Sequence, residues 1–536
     1  MRSIVAGLAA VVGAMALAAF ADGGRVAAAA GQGSHESAPI VDTSVQGDVS
    51  PALNHLQPKK HEPKLHEQPL RKPESPQPGS SDPVLQTAPG PAIPGSGIFL
   101  NFAGVGKGDY GFAPDAAPPD TNGAVGLTQY VQWVNESFAV FNKSDGSLAY
   151  GPADGNTIWQ GFGGGCENNN DGDPIVQYDK LDDRWIYTEF SVITSPVLQC
   201  IAVSTSKDAT GPYNRYAFSY GTQFPDYPKL GVWSDAYYVT YNIFNNGSSF
   251  SGPKVCAWDS AAMRAGAPSV TQVCFQLGSS VHSLLPSDVD GTNAPASGTP
   301  NLLARINTGN ALQFWQFHVD FVTPLNSTLT GPTNQTVAGF TRTCNGGECI
   351  PQPNTSNPLD SLADRAMYRF AYRNYGDHEA WVLNHSVATS LARRNQPVGS
   401  GIRWYELRRT SGTGVPTLLQ QGTYAPDAAY RWMGSIAQDK FGDILVGYSV
   451  SSGSVKPGIR VAGRLPGDNP GTLGTETTIQ AGGGSQTGGL KRWGDYSAMS
   501  VDPVDDCTFY YTNEYLKANG SFNWSTRIAT FKFPGC

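Results

Sequence analysis

Charge is scarce in this sequence: Asp, Glu, Lys and Arg make up only 15% of its 536 residues, and the formal net charge is -8. With a pI near 5.5, the chain offers no basic footprint for nucleic acid or an anionic membrane, and neither partner is expected. Histidine is rare as well. Beyond residue 95 it occurs only at His282, His318, His378 and His385, and no CxxC pair is present, so a zinc site has little to build on. There is no GxSxG, no HExxH and no phosphate-cradling glycine loop, which removes the motif-bearing hydrolases and nucleotide enzymes. No organic cofactor is expected. After the first thirty or so residues, no apolar run approaches the roughly 18 residues of a membrane span, so the mature chain is expected to lack one. Helical patterns are few, the best being the short stretch 260–265.

The N-terminus carries a basic start at Arg2, an apolar run from Ile4 to Phe20, and small residues ending in Ala27-Ala28-Ala29-Ala30. That order is a secretory signal over residues 1–30, the alternative being a membrane anchor. The protein is therefore expected outside the cytoplasm, secreted or periplasmic. Eight cysteines, all beyond the signal, agree with an oxidising compartment. Proximity along the chain suggests the pairs Cys166–Cys200, Cys256–Cys274, Cys344–Cys349 and Cys507–Cys536.

Residues 31–95 are rich in proline and charge with isolated leucines. The reading is a disordered Pro-rich leader, or alternatively a propeptide, because such a segment buries too little apolar surface to offset its ordering entropy. Its removal to about Pro94 is expected to leave stability unchanged.

From residue 96 to 536 the texture is different. Short β-branched and aromatic runs such as Tyr237-Tyr238-Val239-Thr240-Tyr241 alternate with Gly, Asn, Asp and Pro, the pattern of strands and turns. Four segments, starting at Ala139, Val176, Ile436 and Met499, share a strand, an acidic turn and a second aromatic strand. Units of this kind begin near Asp120, Asp173, Asp226, Pro286, Asp364, Arg431 and Arg492. About 60 residues per unit fits an all-β propeller of about seven four-stranded blades, its ring closed by the N-terminal strand Ile98–Phe102. A pair of β-sandwiches is the structural alternative. A monomer is expected.

The starts of these units concentrate the few charges. Asp120, Asp173 and Asp226 are acidic, while Arg365, Arg431 and Arg492 supply guanidinium groups, with Asp495 and Tyr496 just behind the last. Three converging arginines would grip a carboxylate or sulfate. Asp120, Asp173, Asp226, Asp495 and Tyr496 are then the catalytic candidates, and Lys229, Arg365, Arg431, Arg492, Trp432 and Trp493 the substrate-binding ones. Paired carboxylates suit glycoside hydrolysis, and a tyrosine or lysine base suits a uronate lyase. The bland alternative is that these side chains only bond backbone across blades. Separately, the run from Glu167 to Asp173 gathers oxygen ligands, and Glu167, Asn169, Asp171 and Asp173 are a candidate calcium set, against a hydrated turn. His378 is a weaker catalytic candidate.

The segments Pro118-Pro119-Asp120-Thr121-Asn122-Gly123, Tyr430-Arg431-Trp432-Met433-Gly434-Ser435 and Arg492-Trp493-Gly494-Asp495-Tyr496-Ser497 resemble those of a widespread, largely uncharacterised family of secreted bacterial β-propeller proteins, loosely sialidase-like. The resemblance covers nearly all of the chain after Ser96 and implies export and a propeller. Sialidases use three arginines on the substrate carboxylate, a tyrosine nucleophile with a glutamate, and an aspartate acid/base. By that resemblance Arg365, Arg431, Arg492, Tyr496 and Asp120 take those roles. The chain departs from sialidases in lacking an SxDxGxTW box, in its seven units rather than six, and in having no glutamate placed beside Tyr496.

The functional expectation is thus a secreted carbohydrate-active enzyme, a glycoside hydrolase or polysaccharide lyase, acting on an anionic poly- or oligosaccharide at the central mouth. The alternative is a non-catalytic extracellular propeller that binds glycan or protein at the cell surface. The signal reading has a direct check: intact mass of the secreted protein is expected to place its first residue near Gly31, and retention of residues 1–30 would identify an anchor instead.

Overall fold

The computed structural model describes residues 38–59, 66–67, 79–307, 309–389, 399–410 and 412–536; the expected signal, residues 1–30, lies outside them. Seven antiparallel four-stranded meanders follow one another along the chain, the fourth to sixth joined into one sheet by parallel contacts of Leu285–Asp290 with Met367–Asn374 and of Ser400 with Tyr430. Blade 1 is built from Thr121–Val125, Gln129–Val134, Ser137–Asn142 and Leu148–Asp154. The first strands of blades 2 to 7 are Ile175–Asp179, Gln223–Val232, Leu285–Asp290, Met367–Asn374, Tyr430–Gln438 and Ala498–Val501. Blade 7 takes its fourth strand from the other end of the domain: Gly97–Ala103 pairs antiparallel with Trp524–Lys532.

Each first strand packs against the next, and Ala498–Val501 returns to Thr121–Val125. The seven first strands therefore surround one axis, and the protein is a seven-bladed β-propeller. A pair of sandwiches would not close in this way. Closure leaves no sheet with an open inner edge.

Aromatic side chains fill the spaces between blades. Trp133 and Phe138 of blade 1 pack edge-on against Tyr187 of blade 2 at 5.4 and 5.6 Å, and Tyr187 meets Tyr213 at 5.1 Å. The acidic turns act as their composition suggests. Asp179, Asp439 and Asp502 each accept a bond from the backbone N–H two residues on, at Leu181, Phe441 and Val504, the Asx arrangement that tightens a hairpin. These three join the first and second strands of their blades. The similar Asp145 turn instead joins the last two strands of blade 1, so the four repeats are not all equivalent. The one expected helix forms at Ser260–Arg264, capped by Asp259, which accepts the Ala262 N–H.

All four sequence-local disulfides are formed. Cys256 and Cys274 are direct cross-strand partners in blade 3, and Cys507–Cys536 ties the C-terminal residue to blade 7.

The leader corrects the sequence reading. Ile40–Thr43 adds a fifth strand to blade 3 by pairing with Thr271–Gln276, Gln46–Val49 does the same for blade 2 along Tyr213–Gly221, and Leu85–Gln86 lies parallel to Thr417–Tyr424 of blade 5. Charge locks these additions. Arg215 makes a two-pronged bond to Asp48 at 2.6 and 2.8 Å, and Arg403 meets Asp82 at 2.7 Å. Strand addition is driven by main-chain hydrogen bonds on an exposed edge, so it needs no apolar run and leaves little trace in composition. The parts of the leader at 31–37, 60–65 and 68–78 lie outside the described residues. Truncation to Ser96 is therefore expected to lower the melting temperature rather than leave it unchanged, and Asp48→Ala, which strips buried Arg215 of its carboxylate, should cost about 1–3 kcal/mol in denaturant unfolding.

Candidate functional site

The first strands run in one sense around the axis, as the parallel pairing of Leu285–Asp290 with Met367–Asn374 illustrates. Their starting ends meet at one face. At this mouth the backbone repeatedly adopts a conformation that side-chain-bearing residues avoid: φ is +43° at Asp120, +46° at Asp173, +55° at Tyr227, +52° at Ser283 and +51° at Met433. Left-handed backbone at non-glycine residues costs about 1–3 kcal/mol each, and it collects where a scaffold holds side chains for a task.

Asp120, Asp173, Lys229, Asp495 and Tyr496 come together here. Asp120 Oδ1 accepts the Asp495 N–H at 2.7 Å, and Asp173 Oδ2 accepts the Tyr227 N–H at 3.2 Å. Lys229 Nζ sits 3.4 Å from the centre of the Tyr227 ring and 4.1 Å from that of Tyr496, and it donates to the Pro228 carbonyl at 2.7 Å. Asp173 and Asp495 are half-buried, whereas Asp120, Lys229 and Tyr496 lie beneath them, closed off from solvent.

Burial and like charge tune these groups toward one another. Desolvation, with Asp495 and Asp173 adding repulsion, holds the Asp120 carboxyl well above the usual carboxylate range. Asp173 is raised by burial and by Asp495. The Lys229 ammonium is pushed down to about 7 by burial, although Asp173, Asp495 and Asp120 pull the other way. Acids raised and a lysine lowered in one cleft give proton donors and acceptors near neutral pH.

Other candidates stand elsewhere or are otherwise engaged. Arg365 is held by its neighbour Asp364 at 2.9 and 3.0 Å and stacks over Tyr227 at 4.4 Å. Arg492 bonds Asp360 at 2.8 Å and also reaches Asp495. Arg431 does not join them. It already lies inside the strand Tyr430–Gln438, and its side chain reaches Glu476 at 2.9 Å and Asp427 at 2.7 Å; Arg492 stands ahead of its strand and can turn to the axis. The expected arginine trio is thus a pair, each member carrying its own carboxylate.

Trp432 and Trp493 are no sugar platforms: both are buried, 5.7 Å apart, and the Trp493 indole donates to Ser449. Tyr496 donates its hydroxyl to the Pro174 carbonyl at 2.9 Å, and burial beside Asp173, Asp120 and Asp495 pushes the phenol well up. That is the reverse of what a nucleophile needs. Asp226 is half-buried one residue ahead of the Tyr227 bulge. His378 lies in the turn between the first two strands of blade 5, at the opposite end of the ring.

The proposed calcium set is not assembled. Glu167 accepts the Gly161 and Gly163 N–H groups, the Asn169 amide donates to Ser191 and Thr194, and Asp171 accepts the N–H groups of Val192 and Ile193. These side chains fold the loop onto itself, and Asp173 has gone to the mouth. Among the described residues no group of three or more His, Cys, Asp or Glu is arranged to hold a metal.

Sequence reasoning missed Asp360, Tyr227 and Glu514. Asp360 accepts from Arg492 and from the Trp493 N–H, and burial raises it to about 7. Glu514, on the second strand of blade 7, accepts the Gly494 N–H at 3.0 Å. Nothing in their local sequence distinguishes them; only the ring brings them to the axis. Deeper along it, Asp288 and Asp290 pair with Arg369, and Lys180 meets Asp290 at 2.5 Å. Against burial, these cations and Arg373 hold Asp290 down at about 2, the mark of a structural ion network rather than a proton-transfer site. A cavity of about 300 Å³ opens away from the axis, against blade 1, between Lys59, Tyr110, Phe112, Ser137 and Asp154.

Fold and site together define the class: a seven-bladed propeller with a proton-tuned acidic mouth. No family model matches the chain, and no curated protein does. Among solved structures, similarity extends to the α-L-arabinofuranosidase Arb93A from Fusarium graminearum, at 9% identity over 81% of this chain and 98% of that one, with a TM-score of 0.34. A polysaccharide lyase of family PL25, an ulvan lyase, aligns at 12% identity over 80% of each chain, TM-score 0.28. Drosophila Plexin A aligns at 7% identity over 82% of this chain and 88% of that one, TM-score 0.28. The propeller assignment rests on the sheets and the closed ring, not on these alignments.

The tuned groups make stability pH-dependent with a definite sign. Folded Asp360 keeps its proton to about 7, while an exposed aspartate loses it near about 3.9. The folded state therefore binds the extra proton between these values, so the stabilisation is present at low pH and lost as pH rises through 7. Lys229, lowered from 10.5 to about 7, works the other way: its contribution is present at high pH and is lost as pH falls from 10.5 toward 7. Melting curves across pH should show a decline from about 4 to 7 that Asp360→Asn makes shallower, and a rise above 7 that Lys229→Met reduces.

Proposed function

We propose that the protein is a carbohydrate-active enzyme, a glycoside hydrolase or polysaccharide lyase, working at the mouth of the ring. The observation that carries this reading is the pair of half-buried carboxylates, Asp173 and Asp495, set over buried Asp120 and Lys229, with Asp173 and Asp120 raised and Lys229 lowered to about 7. In hydrolysis, Asp173 in its protonated form donates to the leaving glycosidic oxygen as that bond breaks, and Asp495 takes a proton from the water that forms the new bond to the anomeric carbon. In a lyase, Asp495 removes the proton beside a uronate carboxyl group, the bond from the neighbouring carbon to the glycosidic oxygen breaks, and protonated Asp173 gives its proton to that leaving oxygen. An anionic substrate group would engage Arg492 and Arg365 by competing with Asp495, Asp360 and Asp364. The four disulfides suit work outside the cell.

A second reading is favoured by one observation. Arg365, Arg492 and the Tyr496 hydroxyl each have protein partners already, as in a non-catalytic propeller that binds glycan or protein at the cell surface.

One screen separates the two readings. Uronate-containing, sialylated, sulfated and neutral glycans are incubated with the secreted protein and followed by reducing-end release and by the absorbance of unsaturated products. Asp173→Asn and Asp495→Asn are expected to lower kcat by about 10²–10⁴-fold while leaving the substrate Kd nearly unchanged. Binding without product in the parent protein supports the second reading, and absence of binding to every glycan overturns both glycan readings.

A further inference from the structure

Between blades 1 and 2 the structure buries a carboxylate that the mouth does not use. Glu189, on the strand Arg184–Ser191, is 1% exposed, and neither of its carboxylate oxygens has a hydrogen-bond partner. The Trp159 indole N–H approaches it without reaching hydrogen-bond geometry. An ionised carboxylate left in this state costs several kcal/mol, which is why buried charges are paired or coordinate metals.

The groups around it are oxygen donors. A methyl placed on Gly155 would come within 2.6 Å of Glu189 Oε2, 2.9 Å of Asn170 Oδ1 and 2.7 Å of Trp133 Cζ2, so the two oxygens lie close together, packed against the Gly155 backbone and the Trp133 ring. The two asparagines here are oriented by their amide nitrogens. Asn170 Nδ2 donates to the Glu136 carbonyl at 2.9 Å, and Asn156 Nδ2 to the Glu167 carbonyl at 3.1 Å, which turns each Oδ1 away from that bond. Asn156 N donates to Asn170 Oδ1 at 3.3 Å, placing the two residues side by side. Asn156 Oδ1 itself is buried and has no partner. The charges nearby are Asp171, Asp154 and Lys59, and Lys59 Nζ is turned to the Glu167 carbonyl at 2.9 Å. The surroundings thus carry net negative charge.

We propose that a divalent cation of the calcium type binds between blades 1 and 2, held by the Glu189 carboxylate with the amide oxygens of Asn156 and Asn170. Hard oxygen donors, one of them able to bind through two atoms, are what calcium takes. The cation supplies the counter-charge that Glu189 lacks, and it adds to the packing and to the side-chain bonds, such as Asn122 Oδ1 accepting the Val176 N–H, that already join the two blades. Asn170 belongs to the acidic loop singled out in the sequence, but Glu167, Asn169, Asp171 and Asp173 of that loop are not in the set.

The test uses the secreted full chain after treatment with chelator. Calcium chloride is titrated while the melting temperature is followed, and terbium chloride while luminescence sensitised by tryptophan is followed, Trp133 and Trp159 being adjacent. Calcium is expected to raise the melting temperature and to displace terbium, with magnesium much weaker. Glu189→Gln should weaken calcium at least about tenfold, and so should the milder Asn156→Ser. Three results overturn the proposal. One is a parent protein with no calcium response and no terbium signal, especially if Glu189→Gln then melts higher, since the carboxyl would simply be neutral. Another is unaltered calcium affinity in Glu189→Gln. The third is calcium binding lost in Asp171→Ala but kept in Glu189→Gln, which returns the ion to the loop.

Discussion

The pairing of Gly97–Ala103 with Trp524–Lys532 is the constraint on which the rest of the molecule depends. Seven consecutive meanders, each bonded mainly within itself, form a ring only when the last is completed by a strand from the beginning of the domain. That single antiparallel ladder couples the two ends of the chain through backbone hydrogen bonds, and Cys507–Cys536 secures the C-terminal residue beside it. Once the ring is closed, the first strand of every blade is forced to the axis. Residues hundreds of positions apart then share one small volume.

What they share is charge in a medium that solvates it poorly, and the structure handles this in two ways. Deep in the ring, Asp288, Asp290, Arg369 and Lys180 neutralise one another directly, and this lets Asp290 remain a strong acid despite burial. At the mouth the balance is left incomplete. Three aspartates face one another around a single lysine cradled by two tyrosine rings. The protein tolerates the resulting repulsion, together with left-handed backbone at Asp120, Asp173 and Tyr227. The same physics acts between blades 1 and 2, where Glu189 is buried with no protein cation to bond it.

Much of the fold was legible because its determinants are local. The β-branched and aromatic runs, the turn aspartates such as Asp179 and Asp439, and the seven starts spaced along the chain all report on a few neighbouring residues. The disulfides were legible for the same reason, each linking cysteines close in sequence. The leader was not. Its strands at Ile40–Thr43 and Gln46–Val49 exist because blades 3 and 2 offer them an edge, and an edge is a property of the finished sheet.

The site divides along the same line. The sequence by itself determined an all-β chain of about seven units and showed that Asp120, Asp173, Lys229 and Asp495 stand where those units begin, because turn chemistry and strand periodicity are short-range. Only the tertiary structure decided which of these meet. It sent Arg431 along its blade to Glu476 while turning Arg492 toward Asp495, buried Trp432 and Trp493 as core, and brought Asp360 and Glu514 to the mouth. A side chain's direction depends on the pleat and bulge at its own position, and its proton affinity on neighbours delivered from other blades. Neither quantity exists until the ring is closed.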